Sequence, residues 1–228
     1  MAFYAKPSGG YTISSFEGSN NIIEAYNYLS QYGYTKEAVA GMMGNVAAES
    51  GLNPWRWENN TVNYNKGYGL FQFTPASGYI PGCNSLQYYA PSLNTGSVDP
   101  SADPDDAKCQ LYVFATDYLH KWDTDCWRDP DWDPLQYPDL YAIRNNILFY
   151  YGSGTSLSVT QFAAITNVDD ACFAFLGCYE KPLIPNYYTR RSYARDAYDI
   201  LQPYTPGNDI LLELKILDRQ RKRRFNNI

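Results

Sequence analysis

The chain has 228 residues, 45% of them hydrophobic and 18% charged, which suits a globular domain with a sizeable core and room for an appendage. No stretch approaches the roughly 18 uninterrupted apolar residues of a membrane span, so the sequence predicts a protein that is not integral to a membrane. The net charge of −6 is uneven: residues 209–228 balance at +3 and the body at −9, which argues against nucleic acid as a substrate.

Residues 1–19, rich in Gly and Ser, read as a loose lead-in, and MAFYAKPSGGYTISS lacks the apolar stretch of a signal peptide. Ile22, Ile23, Tyr26 and Leu29 recur at helical spacing over 20–32, with Gly33 as a stop. Thr35 is a good N-cap for the next helix. In that helix Val39, Met42, Met43 and Val46 form one apolar stripe, which runs to about Glu49 and ends at Gly51, with Pro54 soon after. Residues 55–75 lose the helical period and are rich in β-formers, Asn and Gly, which predicts a short hairpin or irregular β region. A polar loop over 91–105 precedes a helix over 106–121, with Leu111, Phe114, Ala115 and Tyr118 on one face. Residues 122–139 are turn-rich, and further helices fall near 140–151, 158–165, 168–180 and 186–202. Beyond Gly207 a last amphipathic helix carries Ile210, Leu214 and Leu217, then a basic run. The fold class is α+β, mainly α, with a small β excursion after the helix that ends at Glu49. Its divisions are a lead-in over 1–19, a main domain over 20–208 and a basic tail over 209–228.

Of the five cysteines (Cys83, Cys109, Cys126, Cys172 and Cys178) none forms a CxxC pair, and there is a single His. A zinc site of the usual Cys/His kind is not expected, nor is any other metal or cofactor. The odd count leaves at least one thiol unpaired within a monomer, and the spacing assigns no disulfide. The 23 Tyr are compatible with ordinary half-polar packing or with a sugar cleft, where a ring stacks on a pyranose and its hydroxyl stays wet.

Glu49 is the residue that invites chemistry. It lies one turn beyond Val46, beside the apolar stripe, at a helix C-terminus whose dipole disfavours an ionised carboxylate. Met42, Val46 and Leu52 as neighbours would add desolvation, which also favours the protonated form. A carboxyl kept protonated near neutral pH suits general-acid cleavage of a glycosidic bond. The bland alternative is a Glu that caps or salt-bridges a helix end.

The run from Gly44 to Pro54 (Gly-Asn-x-x-x-Glu-Ser-Gly-Leu-Asn-Pro) resembles the catalytic motif of goose-type lysozymes and soluble lytic transglycosylases. About twenty residues on, Gly67-Tyr68-Gly69-Leu70-Phe71-Gln72-Phe73 is similar to the segment that lines their cleft opposite the acid. The likeness extends to the lysozyme domains of bacteriophage tail proteins through Tyr68 to Pro75, Phe175 to Pro182, and Arg190, Arg191 and Ala194. This resemblance covers about residues 20 to 202. It implies a lysozyme-like, mainly helical fold and cleavage of the MurNAc–GlcNAc bond of peptidoglycan glycan strands. It further implies a virion component, in the phage tail, that opens the wall locally for DNA entry, in keeping with the missing signal peptide. By the same resemblance Glu49 would protonate the glycosidic oxygen, and Ser50 and Gln72 would bond the substrate or orient the acid. Tyr68, Phe71 and Phe73 would shape the sugar-binding wall. Trp55 and Trp57 would stack on sugar or pack the β excursion onto the body. Glu180 and Arg191 read as a structural ion pair.

Glu58 is a candidate second carboxylate, facing the cleft as base or nucleophile, and a solvated surface charge is the stronger reading. Lytic transglycosylases need no second carboxylate, because the sugar's own C6 hydroxyl attacks, so hydrolysis and anhydro-sugar formation both stand. Two rivals come from other classes: a cysteine peptidase, which would need a thiol beside His120, and a catalytically inactive virion structural or carbohydrate-binding protein with a lysozyme fold. The tail reads either as a solvated terminus or as an anchor to other virion proteins or to anionic polymer.

Overall fold

A computed structural model describes residues 3–6, 8–79, 105–126, 137–182 and 184–205. The predicted loop over 91–105 lies outside them but for its last residue, and the basic tail over 209–228 lies outside them altogether.

Helix α1 (Phe16–Leu29) starts four residues before the apolar periodicity suggests, because Ser15 caps it by accepting from the amide of Gly18 at 3.0 Å. It buries Ile22, Ile23, Ala25 and Leu29, then tightens into a 3-10 turn (Ser30–Tyr32) that stops at left-handed Gly33. Helix α2 (Lys36–Glu49) begins at the expected Thr35, whose hydroxyl accepts from the amide of Ala38 at 3.0 Å, and ends where expected. Every residue from Ala38 to Val46 is buried, so α2 is a central helix enclosed on all sides rather than one with a single apolar stripe.

Further helices among the described residues are α3 (Asp105–Ala115), α4 (Pro138–Tyr150), α5 (Val159–Ala163), α6 (Val168–Phe175) and α7 (Tyr187–Leu201). A π-helical turn (Leu176–Glu180) extends α6 and closes at left-handed Lys181. Helices α6 and α7 clasp α2, and glycines set how closely. A Cβ on Gly41 would lie 2.5 Å from the amide nitrogen of Cys172 on α6. A Cβ on Gly44 would lie 2.5 Å from that of Ala194 on α7.

The described chain is mainly helical, as the fold class anticipated, but the small β excursion is not seen as a strand. Residues 55–75 make two isolated antiparallel bridges, Trp57 with Tyr68 and Tyr68 with Phe73, and a 3-10 turn over Glu58–Asn60. Asn59, Asn60 and Gln72 all have positive φ, which turns the chain too sharply for a ladder to propagate. Side-chain bonds replace the ladder. Buried Gln110 on α3 accepts from the amide of Leu70 at 2.6 Å and donates to the carbonyl of Pro54 at 2.8 Å. Gly69 makes this possible, since a Cβ there would lie 2.3 Å from Gln110 Oε1.

The lead-in is tied down, not loose. Phe3, Ala5 and Ile13 are buried. Asn21 pairs with both backbone groups of Tyr4, accepting at 2.7 Å and donating at 2.8 Å, and Asn53 Nδ2 donates to the carbonyls of Lys6 and Gly9. Gly10 passes against Gly51, where a Cβ would lie 2.6 Å from the neighbouring Cα. Cys126 and Cys178 form a disulfide, Cys109 is also disulfide-bonded, and Cys172 is free and buried. No helix among the described residues is long and apolar enough to cross a membrane.

Candidate active site

Glu49 is the last residue of α2, and the chain turns away at once. Ser50 closes the helix with both its amide (2.9 Å) and its hydroxyl (3.0 Å) donating to the carbonyl of Val46. Gly51 and Leu52 follow with φ of 59° and 60°. A left-handed leucine is strained by about 1–2 kcal/mol, and its side chain, fully buried, is what holds it there. The effect is to leave Glu49 at the rim of a buried helix, its side chain 26% exposed.

Helix α7 supplies its partner. Buried Arg190 donates from Nη2 to Glu49 Oε1 in a short ion pair, and from Nη1 to Asn45 Oδ1 at 3.3 Å. Asn45 lies one turn before Glu49 and is fully buried. Its Nδ2 donates to the carbonyls of Gly41 and Cys172, both at 3.0 Å, so α2, α6 and α7 meet through one amide. The carboxyl expected among Met42, Val46 and Leu52 thus faces a guanidinium.

Glu180, at the end of the π-helical turn, belongs to the same cluster. Its Oε1 is enclosed and, like Arg190 Nε, has no hydrogen-bond partner among the described residues. Burial first, and the charge of Glu49 second, push its carboxyl well above the usual carboxylate range, while Arg190 and Lys121 pull it back. Lys121, in the loop after α3, donates to the carbonyl of Thr74 at 3.2 Å and stands 5.7 Å from the centre of the Phe73 ring. Burial holds its ammonium below the usual lysine range, against the opposing charge of Glu180.

The structural pair expected between Glu180 and Arg191 does not form. Arg191 instead faces Asp169 at 3.9 Å and lies over the rings of Tyr187 and Tyr188, and the adjacent Arg190 faces the site. On a helix, successive residues point about 100° apart, so a double arginine leaves open which of the two turns inward.

The other candidates are placed as follows. Trp55, Tyr68, Phe71 and Phe73 are buried, as is Trp57, which meets Tyr64 and Tyr68. Phe71 stacks on Phe114 and meets the edge of Tyr179, so this group backs the site from within the core. Gln72 donates from Nε2 to the carbonyls of Gly69 (2.9 Å) and Arg56 (3.1 Å), securing its own turn. Glu58 closes its loop, accepting from the amide of Gly67 at 3.0 Å with Lys66 at 3.5 Å. Those contacts, the Gly67 bond first, hold its carboxyl below the ordinary glutamate value. Asn45 and Arg190 are legible in the sequence only as motif members without a role, and Glu180 only as half of the wrong pair.

Among the described residues the peptidase rival finds no thiol beside His120. The His120 side chain is 91% exposed, three of the described cysteines are bonded, and burial pushes the thiol of Cys172 up to about 12. Among the described residues no cluster of His, Cys, Asp and Glu could hold a metal ion.

Two comparisons bear on this arrangement. A family model described as phage tail lysozyme matches residues 20–201. The chain is also similar to Morphogenesis protein 1 of Bacillus phage B103, at 40% identity over 79 residues. That match takes in 34% of this chain and 21% of that protein, so the chain aligns with about a fifth of the relative's length.

Proposed function

Because the chain belongs to the phage tail lysozyme family, we propose that it cuts the β-1,4 bond between MurNAc and GlcNAc in peptidoglycan, with Glu49 giving a proton to the glycosidic oxygen. The observation that carries this reading is the setting of Glu49: partly open to solvent at the end of a buried helix, and fixed by Arg190 from a second helix. A carboxyl held on rigid elements is ready for proton transfer without loop reorganisation. Trp55, Tyr68, Phe71 and Phe73 serve the reaction by packing the wall behind the acid. Ser50 fixes the end of α2, and Gln72 fixes its own turn. Glu58 is committed to its own loop, so it is not called on as nucleophile. The protein acts from the phage tail, as part of the virion, on glycan strands of the bacterial wall.

The test is mass spectrometry of soluble products from purified peptidoglycan, comparing the wild type with Glu49→Gln. Muropeptides that vanish in the variant are the expected result. Reducing ends would make the enzyme a muramidase, and 1,6-anhydro ends a lytic transglycosylase. Equal release by both proteins would remove Glu49 from its role. Binding of several wall types without release by either protein would favour a structural or carbohydrate-binding part.

A further inference from the structure

The charge cluster contains two orphans that match. Arg190 Nε is a buried donor without an acceptor, and Glu180 Oε1 is a buried acceptor without a donor. An unmatched buried polar atom is costly, and the cost is greater on a charged group. Each of the two residues lies within the other's electrostatic reach, because the charge of Arg190 acts on the Glu180 carboxyl. Arg190 meanwhile spends Nη2 on Glu49 and Nη1 on Asn45.

We propose that Glu180 is a positioning residue for Glu49, and that Arg190 serves the two carboxyl groups in turn. With Arg190 on Glu49, the proton of the pair rests on Glu180, whose enclosed oxygen tolerates no charge. With Arg190 turned toward Glu180, its Nε donates to Glu180 Oε1, both orphans are satisfied, and the proton passes to Glu49. One proton moves from one carboxyl to the other, and one guanidinium moves the opposite way, so the net charge of the cluster is unchanged. Glu49 then gives that proton to the glycosidic oxygen while Arg190 stays on Glu180, the attacking water or C6 hydroxyl returns a proton to Glu49, and the pair is restored when that proton passes to Glu180 and Arg190 goes back to Glu49. Around Glu180 the charged or titratable neighbours are Glu49 from α2, Arg190 from α7, Lys121 from the loop after α3 and the adjoining Tyr179. Lys181, next in sequence, is turned to Asp123 at 3.5 Å.

This inference rests on Glu49 being the acid, and its test separates the two. Carboxyl carbon-13 NMR of the full chain, labelled at glutamate, reads the titration of Glu49 and Glu180 with no need of turnover. In the wild type the two signals should titrate as a coupled pair, each showing two steps. In Glu180→Gln, the second step should vanish from the remaining signal. The pH–rate profile for wall cleavage should follow it: the basic limb of Glu180→Gln moves to lower pH, and the rate at neutral pH falls about tenfold for each pH step the limb travels. Arg190→Gln should move that limb to higher pH. Independent titration of the two carboxyls in the wild type would overturn the proposal, and so would a loss in Glu180→Gln that is equal at every pH. Should Glu180→Gln not fold, as judged by circular dichroism, Arg190→Lys tests the same point: a compact ammonium keeps the charge but lacks the Nε donor, and the basic limb should move to lower pH as it does in Glu180→Gln. Coupled titration in a protein that cleaves no wall would leave the dyad standing and sink the glycosidase reading instead.

Discussion

Asn45 and Arg190, 145 positions apart in sequence, meet in the core at 3.3 Å, with the Asn45 carbonyl oxygen accepting from the guanidinium one turn below Glu49. The same amide ties the backbones of α2 and α6 together. Replacing Asn45 with Ala removes Arg190's anchor and one of the two donors to the buried carbonyl of Cys172, which keeps only the amide of Leu176. We expect a loss of about 1–3 kcal/mol in urea unfolding. Cleavage should fall further than folding accounts for, because the group facing Glu49 is no longer aimed. Full activity in a stable Asn45→Ala protein would show that Arg190 needs no such support.

Gly44→Ala should be one of the costliest single-methyl additions in the chain. The new Cβ would lie 2.5 Å from the amide nitrogen of Ala194 and 2.7 Å from its Cβ, all of it packed structure with no flexible end to yield. Prising α7 off α2 costs about 1–3 kcal/mol, and Arg190 moves with α7. Gly78 is the control: a Cβ there meets nothing within 4 Å, so Gly78→Ala should stay within about 0.5 kcal/mol of wild type. Thermal unfolding of the two variants side by side decides the matter.

The raised affinity of Glu180 for its proton has a consequence for stability. A group whose folded value is raised stabilises most below its unfolded value, and that stability is lost as pH rises through the folded one. The wild type should therefore weaken from the ordinary carboxylate range upward, toward neutrality and beyond. Glu180→Gln has no proton to lose there, so its stability relative to wild type should climb with pH across that window. Denaturation midpoints at mildly acidic and mildly alkaline pH would show it, and parallel curves would refute it.

Glu58→Gln asks whether the other carboxylate near the motif has a part in the chemistry. Its oxygens are occupied by Gly67 and Lys66. The amide can still accept from Gly67, and a partly exposed pair of this kind contributes about 0–1 kcal/mol. Initial rates on purified wall should stay near wild type. A collapse of turnover with unchanged stability would restore Glu58 as a reacting group.

Much of this is legible in sequence, for local reasons. Thr35 as cap and Gly51 as stop fix α2 through bonds within a few residues, so both its ends follow from the residues beside them. What the sequence hides depends on contacts across long separations. The stretch from Trp55 to Pro75 has a strand-like composition, yet Gln110, some forty residues on, holds it as turns. The Arg190–Glu49 pair depends on the rotation of α7 about its own axis, and that is set by Gly44 against Ala194. Burial of Trp55 and Tyr68 depends on tertiary packing, since an aromatic in a motif looks the same whether it faces sugar or core.

The clasp at Asn21 and Asn53 separates two kinds of boundary. Family likeness begins at residue 20, in the middle of α1, whereas the folding unit reaches back at least to Phe3. A fragment trimmed to the region of likeness would lose the Ser15 cap, worth about 1 kcal/mol, together with the first turn of α1. It would also lose the amide of Tyr11 that donates at 2.6 Å to the carbonyl of Gly51, two residues from the acid. Anyone excising this module for transplantation should cut upstream of that strap, because the packed body reaches further than the region of family likeness.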